Sequence, residues 1–406
     1  MESKAFVKMM FQDFYRSCYP LNGSSILGME KREFGFNLFE GWMLRHKSFK
    51  KKEELEVFLR DNVPLDAYFS CAYYENPEAE MDRKGWLGAD LIFDIDADHI
   101  PTPCDKIHDR WSCAGCGFSG KGITPDRCPI CNGEKFDIST WPCDVCLASA
   151  KAETLKLLDI LMEDFGLSKK EIRVFFSGHR GYHIHIESEI FRDLDAITRK
   201  EIVDYMTCQG INVIPDLKRW KRSRSPSLFL GNYGWAKRIK NGMEKFILEA
   251  AEEDFKKIGL KRNFAKAIVQ NREALLKNIK LGIFGGAHGI GFETLRKLAE
   301  YATKMQSVKI DTVVTTDVHR LIRLPETLHG KTGLRKVEFS TSEIDKFDPF
   351  KNAIAFKEGA VTVFVSDAPE FRLGDETYGP YKNQKATLPT AAALLLICKG
   401  KAEVIE

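Results

Sequence analysis

The sequence predicts a mixed α/β core that carries two insertions, a cysteine-rich module held by metal and a helical subdomain. Three observations lead there. From the run ADLIFDID to residue 209, apolar segments read as strand, helix, strand, strand, helix, the pattern of a mixed core. Seven of the eleven cysteines fall between Cys104 and Cys146. Residues 220–290 then change to long, Lys- and Arg-rich helical patterns such as EKFILEAAEEDFKKI and FAKAIVQNREALLKNIK.

Taken in order, residues 2–18 have helical spacing, with Phe6, Met9, Met10 and Phe14 recurring about once per turn. KKEELEVFLRD (51–61) is a second helix, and AYFSCAYYE supplies short aromatic-rich apolar runs. ADLIFDID is a buried strand whose carboxylates emerge at one edge. Residues 104–146 are rich in Cys, Gly and Pro and too poor in aliphatic residues to build a core, so metal must hold them. Helix returns at 147–165, the strands IRVFFS and YHIHIE flank the turn GHRG, and 193–209 is helical again. After the helical insertion, which closes on the Gly-rich GIFGGAHGIG, VKIDTVVTT, AIAFK and AVTVFVS read as strands and TAAALLLICKG as a final helix. The expected division is a core at 1–103, 147–219 and 291–406, a metal-binding insertion at 104–146 and a helical insertion at 220–290.

The 406 residues allow two or three domains, with 44% hydrophobic and 29% charged residues, as in soluble globular proteins. A net charge of +3 means that any nucleic-acid-binding surface must be local. No apolar run reaches the length of a membrane span, and the N-terminus lacks the apolar centre of a signal peptide. An intracellular, cytoplasmic protein with no membrane partner is expected.

The cysteine spacings define candidate metal ligands. They are Cys104-x3-His108, Cys113-x2-Cys116, Cys128-x2-Cys131 and Cys143-x2-Cys146, enough for two closed tetrahedral zinc sites. Eleven residues separate the two inner pairs, so Cys113, Cys116, Cys128 and Cys131 form a compact ribbon. Cys104, His108, Cys143 and Cys146 then form the outer site, with the ribbon nested inside its loop. The remaining Cys18, Cys71, Cys208 and Cys398 read as small buried hydrophobes.

In FDIDADH, Asp94, Asp96 and Asp98 alternate, and residues two apart share a strand face. Asp94 and Asp96 therefore stand side by side, roughly 7 Å apart at their α-carbons. Two like charges so placed call for a cation, and hard oxygen ligands suit Mg²⁺ or Mn²⁺. Asp311 and Asp317 both adjoin a strand-like run, and either could be a third carboxylate. SGHRGYHIHI puts Ser177, His179 and Arg180 at a strand–turn–strand hairpin and alternates His183 with His185. Arg323, His329 and Lys331 come from HRLIRLPETLHGKTG, which lacks the earlier glycine of a P-loop. Arginine offers a planar fork to phosphate oxygens. LKRWKRSRS sets Lys218, Arg219, Lys221, Arg222 and Arg224 around Trp220, a candidate surface for nucleic-acid backbone. These residues point to divalent-metal phosphate chemistry. They leave open a nuclease or phosphoesterase using His183 and His185, and a non-enzymatic zinc-ribbon protein that binds nucleic acid.

KREFGF (Lys31 to Phe36), FSCAYYENPEA, LIFDIDADH, SGHRGYHIHI and TTDVHRLIRLPETLHGKTGL occur in one order across the chain. Together they resemble the blocks of the catalytic, small subunit of archaeal and eukaryotic DNA primases, and the closing LPTAAALLLICKGKAEV resembles archaeal members. The resemblance implies the α+β core of such primases and synthesis of short RNA primers on a single-stranded DNA template from nucleoside triphosphates, with release of pyrophosphate. It implies catalytic Mg²⁺ or Mn²⁺ on Asp94, Asp96 and, counting back from LHGKTG, Asp311 rather than Asp317. It implies nucleotide contacts from Arg45, Ser177, His179, Arg180, His183, Arg323, His329 and Lys331, with Glu33 a lesser candidate. At His179 some members have arginine. CDKIH and PCDVC resemble the family's zinc motif, whereas the inner ribbon departs from its shorter form. A large primase subunit is the implied partner in a heterodimer.

Overall fold

A computed structural model describes residues 2–19, 26–210, 232–281 and 289–405. Within them the alternating apolar runs build two four-stranded antiparallel sheets. The first sheet has the order Leu321–Arg323, Asp66–Ser70, Phe34–Asn37, Met43–Lys47. The second has the order Val337–Phe339, Ile172–Phe176, Gly181–Ile186, Leu91–Asp96. Every residue of Gly181–Ile186 is buried, whereas Leu91–Asp96 is buried except at Asp94 and Asp96. Alternation turns Leu91, Phe93 and Ile95 to one side and lets the two acids reach the open face.

The register of this second sheet places the site. Gly181 lies opposite Asp96 and His183 opposite Asp94. The approach at Gly181 admits no side chain, because a β-carbon there would stand 2.2 Å from the Ile95 carbonyl oxygen. The GHRG turn closes the hairpin, with Gly178 at φ +88°, a backbone conformation that favours glycine.

The cysteine-rich insertion forms three short strands, with Arg110–Cys113 between Ser119–Lys121 and Phe136–Ser139. Trp111 is buried against Phe118 and Phe136. Toward the C-terminus, Ala360–Ala368 pairs with Tyr381–Pro389 and Ala402–Val404. The helix Thr390–Cys398 packs on this sheet and buries Ala392 through Ile397.

The chain divides into two compact units. The first comprises Met1–Thr154, Ser168–Lys200 and Lys309–Glu406 and holds all the sheets above. The second comprises Leu155–Leu167 and Glu201–Val308. It is helical, with Gly234–Glu249, Glu252–Lys257, Arg262–Gln270, Arg272–Lys280 and Phe292–Gln306 around a core that includes Trp235, Met243, Leu275 and Leu298. This unit is wider than the expected 220–290. Arg238 pairs with Asp159 and, at 2.7 Å, with Asp164, while the Trp235 indole donates to the Tyr205 carbonyl at 2.7 Å. Those bonds draw 155–167 and 201–210 into the helical unit. Lys218, Arg219, Lys221, Arg222 and Arg224 lie outside the described residues, as does 282–288 of the Gly-rich segment.

Three local expectations are corrected. VKIDTVVTT reads as a strand from its β-branched residues, yet Thr312–Thr316 is a helical turn because the Asp311 carboxylate caps it, accepting from Val313 N at 2.9 Å. AIAFK forms no strand; it follows the helix Pro349–Asn352, and its Ala353 carbonyl accepts from Arg335 N at 2.9 Å. The α-helix Ser3–Asp13 gives way to a π-helical turn at Phe14–Cys18. Cys71 is buried as expected, whereas Cys208 and Cys398 are partly exposed. Among the described residues no helix is long and apolar enough to cross a membrane.

Candidate active site

Three carboxylates converge at the open end of Leu91–Asp96. Asp94 and Asp96 come from that strand, and Asp311 is carried to it by its own backbone, whose N–H donates to the Asp94 carbonyl at 2.9 Å. Burial first, and then the neighbouring charges of Asp96 and Asp311, push the Asp94 carboxyl up to about 7. Burial also raises Asp96, against the opposing pull of Arg180, His99, Lys331 and Lys399. Asp317 lies at the far end of the helical turn and accepts from its own neighbour His319 N at 2.9 Å. The structure therefore brings Asp311, and not Asp317, to the acidic pair. A buried carboxylate raised by two neighbouring carboxylates belongs to a donor set fitted to a hard divalent cation.

Facing the acids is the hairpin turn. The Ser177 hydroxyl accepts from His179 N at 3.3 Å and from Gly181 N at 3.2 Å, so it shapes the turn. His179 is buried, and its ring stacks on His329 with 5.1 Å between centroids. The His329 ring accepts from Lys331 N at 3.0 Å, and Lys331 itself is exposed. Burial and the nearby cations hold both imidazoles well below their usual pKa, so both are neutral. His183 Nε2 stands 3.5 Å from Asp94, while His185 turns away to Lys336, 3.4 Å from its ammonium, and packs on Phe175. His183 and His185 thus face different partners, Asp94 and Lys336, rather than one shared set of donors.

The three arginines assigned to nucleotide are all engaged by carboxylates. Arg180 is fully buried and donates to Asp98 and, at 2.8 and 3.0 Å, to both oxygens of Asp109. Arg323 is held by Asp66 at 2.5 Å. Arg45 meets Glu33 with two hydrogen bonds, at 2.9 and 3.2 Å. Although burial opposes it, those bonds, one from His46 N and the charge of Lys84 keep the Glu33 carboxyl below its ordinary value. Each guanidinium is thus paired with a carboxylate, Arg180 and Arg323 in buried pairs with acids from distant parts of the chain and Arg45 in a partly exposed pair with an acid 12 positions away.

The eight zinc candidates gather in two sets, Cys104, His108, Cys143 and Cys146, and Cys113, Cys116, Cys128 and Cys131. Donor atoms within each set lie no more than 4.8 Å apart, with closest approaches of 3.3 to 3.6 Å. A tetrahedral ion with bonds of about 2.0 to 2.3 Å requires donors roughly 3.5 to 3.8 Å apart, so both sets fit zinc. Asp109 ties the outer set to the hairpin, since its Oδ1 lies 2.7 Å from His108 Nδ1 while both its oxygens hold Arg180. Asp109 had no signal in the sequence, and Asp98 had only its place in the alternation. Asp98 forms a third cluster with Asp96 and His179.

A model of the DNA primase small subunit family matches residues 136–341. The chain is similar to proteins named DNA primase small subunit PriS. It is 32% identical to that of Nitrosopumilus maritimus, over 98% of this chain and 97% of the relative. It is 33% identical to that of Methanothrix thermoacetophila over the whole of both, and 33% identical to that of Archaeoglobus fulgidus over 99% of each.

Proposed function

The chain belongs to the DNA primase small-subunit family, and we propose that Asp94, Asp96 and Asp311 hold its catalytic divalent ions while the hairpin turn and the His329–Lys331 loop hold the incoming nucleotide. The protein is a nucleotidyltransferase, the catalytic subunit that makes RNA primers for DNA replication. The observation that carries the site assignment is the convergence of three carboxylates, from segments more than 200 residues apart, opposite a turn lined by His179 and Lys331.

In the reaction a primer 3′-hydroxyl attacks the α-phosphate of a nucleoside triphosphate on a single-stranded DNA template, and pyrophosphate leaves. Bound Mg²⁺ or Mn²⁺ supplies charge stabilisation at the phosphate oxygens and lowers the hydroxyl pKa. The chain's own residues do the positioning. Asp94 and Asp96 share a strand face, so their donor atoms are fixed by the sheet. Asp311 is fixed twice, by the backbone bond to Asp94 and by its capping bonds. Ser177 sets the turn, His183 braces Asp94, and Lys331 meets phosphate oxygens from the open side. Arg180, Arg323 and Arg45 form the pocket's walls, each placing a guanidinium beside its carboxylate partner and available to phosphate where that pair opens. Neutral His179 and His329 can donate to phosphate oxygens without themselves adding charge.

Two zinc ions would close the two cysteine sets in a structural role. A large primase subunit completes the heterodimer in this reading, and the five cations from Lys218 to Arg224 are candidate contacts to template. The test is primer synthesis from ribonucleotides on single-stranded DNA. Asp94→Ala should bring synthesis to background while zinc content and a cooperative urea unfolding transition are retained. Near-normal synthesis by that variant with Mg²⁺ or Mn²⁺ present would overturn the assignment.

A further inference from the structure

The C-terminal helix Thr390–Cys398 delivers a lysine to the nucleotide pocket that neither the motifs nor the reading above employs. Lys399 follows the helix directly, and its backbone N–H donates to the Leu395 carbonyl at 3.0 Å. Its ammonium lies 2.6 Å from His179 Nε2, across 220 positions of sequence. His179 stacks on His329, and the His329 ring accepts from Lys331 N. The helix also packs under the Lys331 loop, since a β-carbon at Gly333 would stand 2.6 Å from Leu394. Lys399, His179, His329 and Lys331 are therefore one contiguous set, drawn from three separate segments and fixed by buried packing.

The charge pattern makes Lys399 unusual. Arg180, Arg323 and Arg45 all have carboxylate partners. Lys399 is bonded instead to an imidazole, and among the described residues it makes no ion pair. An ammonium has three donors, so two remain after the bond to His179. A half-buried cation satisfied only by a neutral acceptor gains from an anion. Burial, then the charges of Arg180 and Lys331, lower the Lys399 ammonium to about 7 against the pull of Asp109 and Asp96, so an anion bound beside it also secures its proton.

We propose that Lys399 is a phosphate-binding residue, its ammonium acting with that of Lys331 on the β- and γ-phosphates of the incoming nucleoside triphosphate. This rests on the reading of the pocket as the nucleotide site. His179 then serves as the positioning residue that aims the lysine.

The experiment compares the full chain with Lys399→Met, Lys399→Gln and Lys399→Arg. Binding of ATP and of AMP is measured by calorimetry with Mg²⁺, and KM and kcat are measured in primer extension. The neutral variants should lose about 10- to 100-fold in ATP affinity, with AMP affinity unchanged and KM raised more than kcat falls. Lys399→Arg should recover most of the loss. Wild-type ATP affinity in either neutral variant, with Lys331→Ala weakened, would overturn the role of Lys399 and leave the pocket standing. Equal loss of ATP and AMP without rescue by arginine would also overturn it, since that marks a merely structural lysine. Failure of the wild-type chain to bind ATP at all would sink the nucleotide pocket and this proposal together. Should Lys399→Met fail to fold, Lys399→Gln and Lys399→Arg decide the question.

Discussion

Asp94→Asn should make the metal-free protein more stable at pH 8, even as it abolishes synthesis. Burial and the adjoining carboxylates of Asp96 and Asp311 lift the Asp94 carboxyl from 3.8 to about 7. At about 1.4 kcal/mol per pH unit, that gap amounts to about 4 kcal/mol as an upper bound. The side chain keeps 23% of its exposure, so water offsets part of it, and about 2 kcal/mol is the expected gain. Below about pH 4 the carboxyl is protonated in both folded and unfolded chains and costs nothing. As pH rises from about 4 toward 7 the unfolded chain releases its proton while the folded chain retains it, so folding is progressively penalised. Above about 7 the full penalty remains. Urea unfolding with chelator present should therefore separate variant from wild type at pH 8, with the gap narrowing as pH falls toward 4. Saturating Mn²⁺ should stabilise wild type more than the variant and reduce the difference. A variant no more stable than wild type at pH 8 in chelator would refute the crowding of charges from which the metal site is inferred.

Two further outcomes follow from the cysteine-rich insertion. Asp109→Ala strips Arg180 of its bidentate partner and His108 of its Nδ1 partner; breaking such a buried pair should cost about 3–5 kcal/mol, and zinc loss to a chelator should accelerate by about 10- to 100-fold. Unchanged unfolding and unchanged zinc release would show that Asp109 links nothing. Replacing Cys116 and Cys128 together by serine should lower bound zinc from two ions to one by elemental analysis of the purified protein, and a wild-type chain carrying a single zinc would contradict the two-set arrangement.

Features written in short-range spacing were legible in the sequence. The strand of Asp94 and Asp96 shows its two-residue period, the hairpin its Gly-flanked turn, and the cysteine sets their knuckle spacing. Each depends on residues within a few positions of one another. What failed was local preference set against local capping. Val313, Val314, Thr315 and Thr316 are strand formers, but one carboxylate at Asp311 satisfies the first free N–H groups of a helical turn and decides the conformation. The span of the helical unit was illegible for another reason. Residues 155–167 read as part of a core helix until Arg238, more than 70 positions away, pairs with Asp159 and Asp164.

The same distance effect changes how the cations should be counted. A sequence marks an arginine as positive but says nothing about the acid that will meet it in the fold. Asp98 and Asp109 come to Arg180 from 82 and 71 positions away, and Asp66 comes to Arg323 from 257. Each pair leaves little net charge at its place, so the arginines give the pocket its shape more than its field. The histidines, held neutral by burial, add donors without charge. Lys336, which also bears on Asp94, is buried against His185 and the Arg323 carbonyl, so among the described residues the exposed or partly exposed lysines near the acids without a carboxylate partner are Lys331 and Lys399. Of these, Lys399 stands in the closing LPTAAALLLICKGKAEV without a role legible there, because only the packing of the last helix under the Lys331 loop brings it to the pocket. Triphosphate affinity in this protein should accordingly follow its two lysines more closely than the arginines that its motifs advertise.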